Sequence, residues 1–128
     1  MRELSQAEWN VMESLWQEAP KIGSRIVADL SESVGWSRST SLTMLKRMVD
    51  KGLIACVDGD GIKQYRPLVD RKEAVTKETK SFLDRVYKGS ISMMLSAFTK
   101  ESRLSAKEIE ELQQILDNAK TEGKGEEA

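Results

Sequence analysis

The sequence predicts a mainly α-helical protein with one small β-hairpin, arranged as an N-terminal domain followed by a helical extension. Three observations predict this fold class. Apolar residues recur at helical spacing along most of the chain, helix-capping patterns recur, and two β-prone runs flank one Gly-rich turn. At 128 residues, the chain has room for one ordinary domain, or for a small domain with an extension.

Three helix starts share one capping chemistry, in which a cap side chain accepts the third helical N–H and a glutamate at that third position reaches back to the cap. Both halves of the pattern are present at each start, so these boundaries are well defined by the sequence. The cap and glutamate pairs are Ser5/Glu8, Asp70/Glu73 and Ser105/Glu108.

The first three predicted helices lie within the first 51 residues. The first covers about residues 6–17, the second follows Pro20 and ends before Gly35, and the third begins after the cap Ser37 and ends before Gly52. Their apolar residues recur at the helical period and are expected to form the core. These residues are Trp9, Met12, Leu15, Trp16, Ile26, Val27, Leu30, Val34, Met44, Leu45 and Met48, with Trp36 in the tight connection.

Two β-prone runs follow, at residues 53–57 and 62–66, and the turn sequence Asp-Gly-Asp-Gly separates them at residues 58–61. Three helices followed by a hairpin of this size are typical of a winged helix-turn-helix, in which the hairpin is the wing. We therefore expect residues 1–69 to form a winged helix-turn-helix DNA-binding domain.

The rest of the chain predicts a helical dimerisation domain at residues 70–120 and a flexible polar tail at residues 121–128. A long helical pattern starts at Asp70, with a kink or break at Gly89, and a last helix covers residues 106 to about 119. Their apolar stripes are expected to meet a symmetric partner, the alternative being packing on the chain's own N-terminal domain. The stripe residues are Phe82, Leu83, Val86, Tyr87, Ile91, Met94, Leu95, Phe98, Ile109, Leu112, Ile115 and Leu116.

The composition argues against several classes of function. Cys56 is the single cysteine and histidine is absent, so we expect no disulfide, no metal site and no cofactor, and the common Ser-His and Cys-His catalytic pairs are excluded. No Gly-rich phosphate loop is present, and we do not expect an enzyme. No signal peptide and no membrane-spanning run is recognisable, which predicts a cytoplasmic protein that does not bind membranes directly.

The third helix carries the strongest functional signal. Between Ser33 and Val49 there is no acidic residue, and residues 36–51 hold four cations against Asp50, a local charge of +3. Short hydroxyl side chains that allow close approach to bases, together with long cations for phosphates, suit a helix that lies in the major groove. The residues predicted to contact double-stranded DNA are Arg38, Ser39, Thr40, Leu42, Thr43, Lys46 and Arg47, with Lys63 on the wing.

Two alternatives stay open for this surface. Surface helices often carry solvated charges, and the third helix of a winged domain can dock a protein instead of DNA. For Lys63 and Arg66 on the hairpin, phosphate contact and simple solubility are equally good interpretations. The formal charge of −1 does not decide the matter, because it averages a neutral 1–69, a 70–100 segment of +3 and a 101–128 segment of −4.

The sequence also resembles the penicillinase repressor family, also called BlaI/MecI/CopY, over about residues 3–118. The resemblance rests on SQAEWNVMESLW at 5–16, ST at 39–40, TMLKRM at 43–48, FL at 82–83 with VY at 86–87, and KEIEEL at 107–112 with IL at 115–116. It implies a homodimeric winged-helix repressor that binds palindromic operators, often with TACA/TGTA half-sites.

The resemblance further implies a mode of induction. In antibiotic-responsive members, a membrane sensor with a metalloprotease domain triggers cleavage between an Asn and a Phe in the dimerisation domain. The corresponding place is Ala97-Phe98, where the Phe is present and Ala replaces the Asn. A regulator of another set of genes, without proteolytic induction, is therefore the alternative. The Cys-x-Cys motifs of copper-responsive members are absent, and Leu42 stands where antibiotic-responsive members carry a basic residue.

Overall fold

The computed structural model describes residues 3–101 and 104–127, with side chains described up to residue 123. It divides into two compact units, Met1–Ser81 and Phe82–Ala128. The predicted fold class is confirmed: helices dominate, and one small antiparallel sheet is present. The elements are α1 (Gln6–Gln17), β1 (Lys21–Ile22), α2 (Gly23–Val34), α3 (Arg38–Asp50), β2 (Ile54–Gly59), β3 (Ile62–Pro67), α4 (Arg71–Tyr87), α5 (Ile91–Glu101) and α6 (Ala106–Glu127).

Local chemistry sets the predicted helix starts. At α1, the Ser5 hydroxyl accepts from the Glu8 N–H at 3.1 Å, and the Glu8 carboxylate accepts from the Ser5 N–H at 2.8 Å. The same reciprocal pair forms between Ser105 and Glu108 at α6. Asp70 accepts from the Glu73 N–H at 3.4 Å before α4. All three helices begin where the sequence predicts, but at Asp70 only this first half of the predicted pair is found among the described contacts.

The connection between α2 and α3 is a tight turn. Gly35 adopts the left-handed conformation, with φ of 72°, which a residue without a Cβ adopts at little cost. The Trp36 N–H then bonds back to the Leu30 carbonyl, and Ser37 caps α3 by accepting from the Thr40 N–H. This turn joins α2 and α3 as a helix-turn-helix.

The wing is the predicted hairpin with a tighter turn. Asp60 and Gly61, both with positive φ, form a two-residue turn, so β2 extends to Gly59 instead of ending at Val57. The strand β1 was not predicted. It pairs antiparallel with β3 and gives the strand order β1-β3-β2, which ties the wing to the chain just before α2.

One apolar core lies in the first unit. Trp9, Trp16 and Trp36 pack against it half-buried, whereas the prediction of Val34 as a core residue is wrong: its side chain is 39% exposed. Val34 is the last residue of α2, and the chain turns away at Gly35. The buried apolar residues are Leu4, Val11, Met12, Leu15, Ile26, Leu30, Leu45, Met48, Leu53, Ile54, Val69 and Ala74.

The first unit extends past the predicted boundary at residue 69. The Trp16 indole N–H donates to the Val69 carbonyl at 2.9 Å, and the Arg71 guanidinium lies over the Trp16 ring. Arg71 also pairs with Glu13 at 3.1 Å, and Ala74 is buried in the core. The first part of α4 therefore packs on α1, and the unit includes residues up to Ser81.

The second unit contains the end of α4, then α5 and α6. Lys88 and Gly89, both with positive φ, break the long helical pattern at the predicted place. The helix α6 continues to Glu127, past the helix end expected near Ala119 and into the residues expected to form a flexible tail. Glycine costs a helix only about 1 kcal/mol relative to alanine, which reduces helix stability without forbidding the helix.

Within the described ranges 3–101 and 104–127, no helix combines the length and the apolar character needed to cross a lipid bilayer.

Candidate nucleic-acid interface

The two faces of α3 differ as the helical period predicts. Ser41, Leu45 and Met48 are buried and hold the helix against the core. The opposite face is exposed to solvent, and Leu42 on its flank is 39% exposed. The exposed positions include every residue of α3 that the sequence predicts to contact DNA: Arg38, Ser39, Thr40, Leu42, Thr43, Lys46 and Arg47.

Hydroxyl groups cluster at the start of this face. The Ser37 hydroxyl donates to the Thr40 hydroxyl at 3.0 Å and lies 3.2 Å from the Ser39 hydroxyl. These bonds hold the two neighbouring side chains in place while Ser37 also caps the helix. Short, ordered hydroxyl groups can donate to or accept from base edges and phosphate oxygens.

A shallow depression of about 210 Å³ lies along the exposed face of α3. The half-buried Met44 contributes an apolar wall to it, although the sequence assigned this residue to the core alone. The depression thus combines hydroxyl groups, a guanidinium group and one apolar side chain. Its lining residues are Ser39, Thr40, Thr43, Met44 and Arg47.

Among the residues that the structure describes, none of Arg38, Lys46 and Arg47 takes part in an ion pair. Lys51, which the sequence counted with them, differs: its ammonium group bonds to the Glu8 carboxylate at 3.0 Å. The exposed charge of α3 is therefore three cations against Asp50.

The wing carries acidic residues beside its cations. The strand register sets Asp58 directly opposite Lys63, and a second carboxylate, Asp60, lies in the turn. Lys63 therefore has acidic neighbours, although its side chain is exposed. Arg66 lies opposite Ala55 at the base of the hairpin. The structure brings the α3 residues together and leaves Lys63 on a separate element.

One wing residue, Tyr65 of β3, packs against the core, which the sequence did not predict. Tyr65 packs half-buried against the core and lies opposite Cys56 in the strand register. Burial raises the pKa of the Tyr65 phenol, and the neighbouring Cys56 adds to this effect. The phenol therefore stays neutral at physiological pH. Alternation along a strand this short gave no signal that Tyr65 faces the core.

The structure thus defines a class of protein, the winged helix-turn-helix proteins. In this chain the second helix of the helix-turn-helix, α3, presents an exposed face of cations and hydroxyl groups. Residues 4–118 match the sequence profile of the family described as "Penicillinase repressor". The chain belongs to this penicillinase repressor family of transcriptional repressors, which confirms the resemblance.

Individual relatives cover nearly the whole chain. The chain is 34% identical over 114 residues to the methicillin resistance regulatory protein MecI of Staphylococcus aureus strain N315, covering 89% of this chain and 93% of that protein. It is 32% identical over 122 residues to the penicillinase repressor of Bacillus licheniformis, covering 95% of each.

A solved structure is similar to the N-terminal part of the fold. It is the Bacillus licheniformis BlaI monomeric form in complex with the blaP half-operator, at a TM-score of 0.51 and 28% identity. The match covers 56% of this chain and 88% of that chain.

Proposed function

We propose that the chain is a homodimeric transcriptional repressor that binds a palindromic operator through α3. The exposed face of α3 carries this proposal, because its cations have no internal partners among the described residues and lie beside ordered hydroxyl groups. The similarity to BlaI, which was solved with a half-operator, supports operator DNA as the ligand. Binding over a promoter would block transcription.

The side chains divide into two roles. Arg38, Lys46 and Arg47 would engage phosphates, with Lys63 as a weaker contact because of its acidic neighbours on the wing. Ser39, Thr40 and Thr43 would approach base edges from the depression. Leu42, exposed on the flank of the same face, would contact a thymine methyl group.

Homodimer formation is supported by the second unit. Among its described side chains none is fully buried, and many of its large apolar side chains are exposed. Complete burial of a fully exposed large apolar side chain contributes about 1.5–3 kcal/mol, so each of these partly exposed side chains would contribute a share of that on a second copy of the chain. The exposed members of the predicted stripe are Phe82, Val86, Ile91, Phe98, Ile109, Ile115 and Leu116, and its half-buried members are Leu83, Tyr87, Met94, Leu95 and Leu112.

Two copies would also improve recognition. One helix reads only a few base pairs, while two helices related by a twofold axis read both halves of a palindrome. Linking the two binding events raises the affinity well above that of one domain. The dimer is therefore part of the binding mechanism that we propose.

Salt dependence of binding tests the DNA interface directly. If each subunit neutralises three to five phosphates, log K should fall against log salt with a slope of about −5 to −9. The measurement is fluorescence anisotropy with a duplex from the gene's own upstream region, and a shuffled duplex serves as the control. A slope near zero, or equal affinity for both duplexes, would contradict operator binding.

Two substitutions separate the proposed roles. Lys46→Ala should weaken binding to both duplexes alike and reduce the salt slope by about 1 per subunit. Thr43→Ala should instead relax discrimination at one base pair in each half-site, at a cost of about 1–3 kcal/mol. If each variant loses the same affinity for the upstream duplex as for the shuffled duplex, the division into phosphate and base contacts is wrong.

Relief of repression by a membrane sensor metalloprotease is the second part of the proposal. The corresponding bond, Ala97-Phe98, lies within α5, and the Phe98 side chain is 51% exposed. A protease needs an extended segment, so α5 would have to unwind locally before cleavage. If the intact chain is not cut when the inducer is present, the alternative of a regulator without proteolytic induction is favoured.

A further inference from the structure

The side chain of Glu8 joins the start of α1 to the end of α3. It is only 1% exposed, although glutamate at this position of a capping box is normally solvated. One carboxylate oxygen accepts from the Ser5 N–H at 2.8 Å. The other accepts from the Lys51 ammonium at 3.0 Å, across 43 residues of sequence.

The charge of this carboxylate is stabilised by its partners. Burial disfavours the ionised form, but the hydrogen bond from the Ser5 backbone and the hydrogen bond and charge of Lys51 outweigh it. The pKa of Glu8 therefore lies below its ordinary value. The Glu8 carboxylate thus stays ionised at physiological pH, while the side chain of its partner Lys51 is 44% exposed.

Lys51 occupies the junction between α3 and the wing. It is the C-cap of α3, and its backbone N–H bonds to the Arg47 carbonyl at 3.0 Å. Gly52, with φ of 79°, then turns the chain, and Leu53 enters the core ahead of β2. An anchor at this residue restrains the end of α3 and the start of the wing together.

We propose that Glu8 and Lys51 are positioning residues for operator binding, whose ion pair fixes α3 relative to α1, and that Lys51 contacts no phosphate. This inference rests on the proposed function. Base readout requires the recognition helix to be held within about 0.5 Å of its working geometry. Non-specific attraction to phosphates does not depend on such exact placement.

The test uses the full-length chain and measures two properties, discrimination and salt slope. Discrimination is the ratio of affinities for the upstream duplex and the shuffled duplex. The variants are Glu8→Gln, Lys51→Met, the double variant and Lys51→Arg. Glu18→Gln is the matched control, because Glu18 forms an exposed ion pair with Arg25 that does not involve α3. Thermal unfolding by circular dichroism sets a temperature at which each variant is folded.

We expect Glu8→Gln and Lys51→Met each to lower discrimination about tenfold through displacement of α3. The double variant should lose no more discrimination than either single variant, because each single substitution already breaks the pair. Lys51→Arg, which keeps the ion pair, and Glu18→Gln should retain wild-type discrimination. Lys51→Met should also keep the wild-type salt slope.

Two results would overturn the inference. A salt slope reduced by about 1 per subunit in Lys51→Met would make Lys51 a phosphate contact. Wild-type discrimination in the double variant would remove the positioning role. The double variant removes both charges of the Glu8–Lys51 pair, so it tests the inference even if a single variant fails to fold.

The wild-type protein separates failure of this inference from failure of the proposed function. Equal wild-type affinity for both duplexes would reject operator binding itself. If the wild type discriminates between the duplexes and every variant discriminates equally well, only the role of Glu8 and Lys51 is rejected.

Discussion

The two compact units of this chain use apolar residues in different ways. In Met1–Ser81, side chains such as Met12, Ile26 and Leu45 have no exposed surface, and the buried charged groups of Glu8 and Lys21 are paired. In Phe82–Ala128, no described side chain is fully buried, and Phe98 and Ile115 are more than half exposed. The first unit contains its own core, whereas the second unit leaves its apolar surface to be covered.

This difference separates two kinds of stability. A unit with its own core folds with a free energy that does not depend on protein concentration. A unit that completes its core through a partner gains stability by mass action, so its apparent stability rises with concentration. Substitutions in the two units should therefore have different signatures, and the following predictions use that contrast.

The largest effect is expected from removing the end of the second unit. A chain that stops at Ala97 lacks Phe98 and all of α6, and with them five of the twelve predicted interface residues. We expect it to be monomeric in sedimentation and to bind the upstream duplex about 10²–10⁴-fold more weakly, because avidity is lost. The first unit should keep its helical circular dichroism.

A chain that stops at Ala119 is the matched control for this truncation. It retains the apolar residues of α6 through Leu116 and should remain dimeric. If the chain that stops at Ala97 also stays dimeric and binds as before, the second unit is not the dimerisation element, and cleavage there could not relieve repression.

One substitution made in both units gives the next largest effect. Leu45 has no exposed surface, so Leu45→Ala should lower the free energy of unfolding by about 2–5 kcal/mol at any protein concentration. Leu116 is 58% exposed in the single chain, so Leu116→Ala should leave the unfolding of the first unit unchanged and weaken dimerisation. Urea unfolding at two protein concentrations, with sedimentation, measures both. If Leu116→Ala lowers the free energy of unfolding equally at both protein concentrations, this residue belongs to an internal core instead.

Local chemistry explains why much of the fold could be predicted. The capping pair Ser5/Glu8, the left-handed Gly35 and the break at Gly89 depend on residues close in sequence. The exposed face of α3 follows from the helical period once its buried face is known. These features need no knowledge of distant parts of the chain.

Three of the missed features depend on distant residues. Lys21 and Ile22 form a strand only because β3 lies beside them, and a two-residue strand has no pattern of its own. Lys51 was counted as a free cation because its partner Glu8 is 43 residues away. The first unit extends past the predicted boundary at residue 69 because Arg71 packs on Trp16.

The smallest effect is expected from acid, and it should appear in the first unit alone. The ammonium group of Lys21, whose side chain is 3% exposed, bonds to Asp29 at 2.6 Å, and Ser14 donates to the same carboxylate at 2.8 Å. The hydrogen bond from Lys21 outweighs burial and holds the pKa of Asp29 below its ordinary value. The unfolded chain therefore binds this proton more readily than the folded chain.

The stabilisation from this carboxylate is complete above the unfolded-state pKa, about 3.9, and is lost as the pH falls through the lower folded value. Asp29→Asn should thus be less stable than wild type at pH 7, and the difference should shrink below pH 4. Urea unfolding of the first unit from neutral to acidic pH measures it, with the exposed Glu32→Gln in α2 as the control. A difference that stays constant with pH would mean that Asp29 acts through packing or neutral hydrogen bonds and not through its charge.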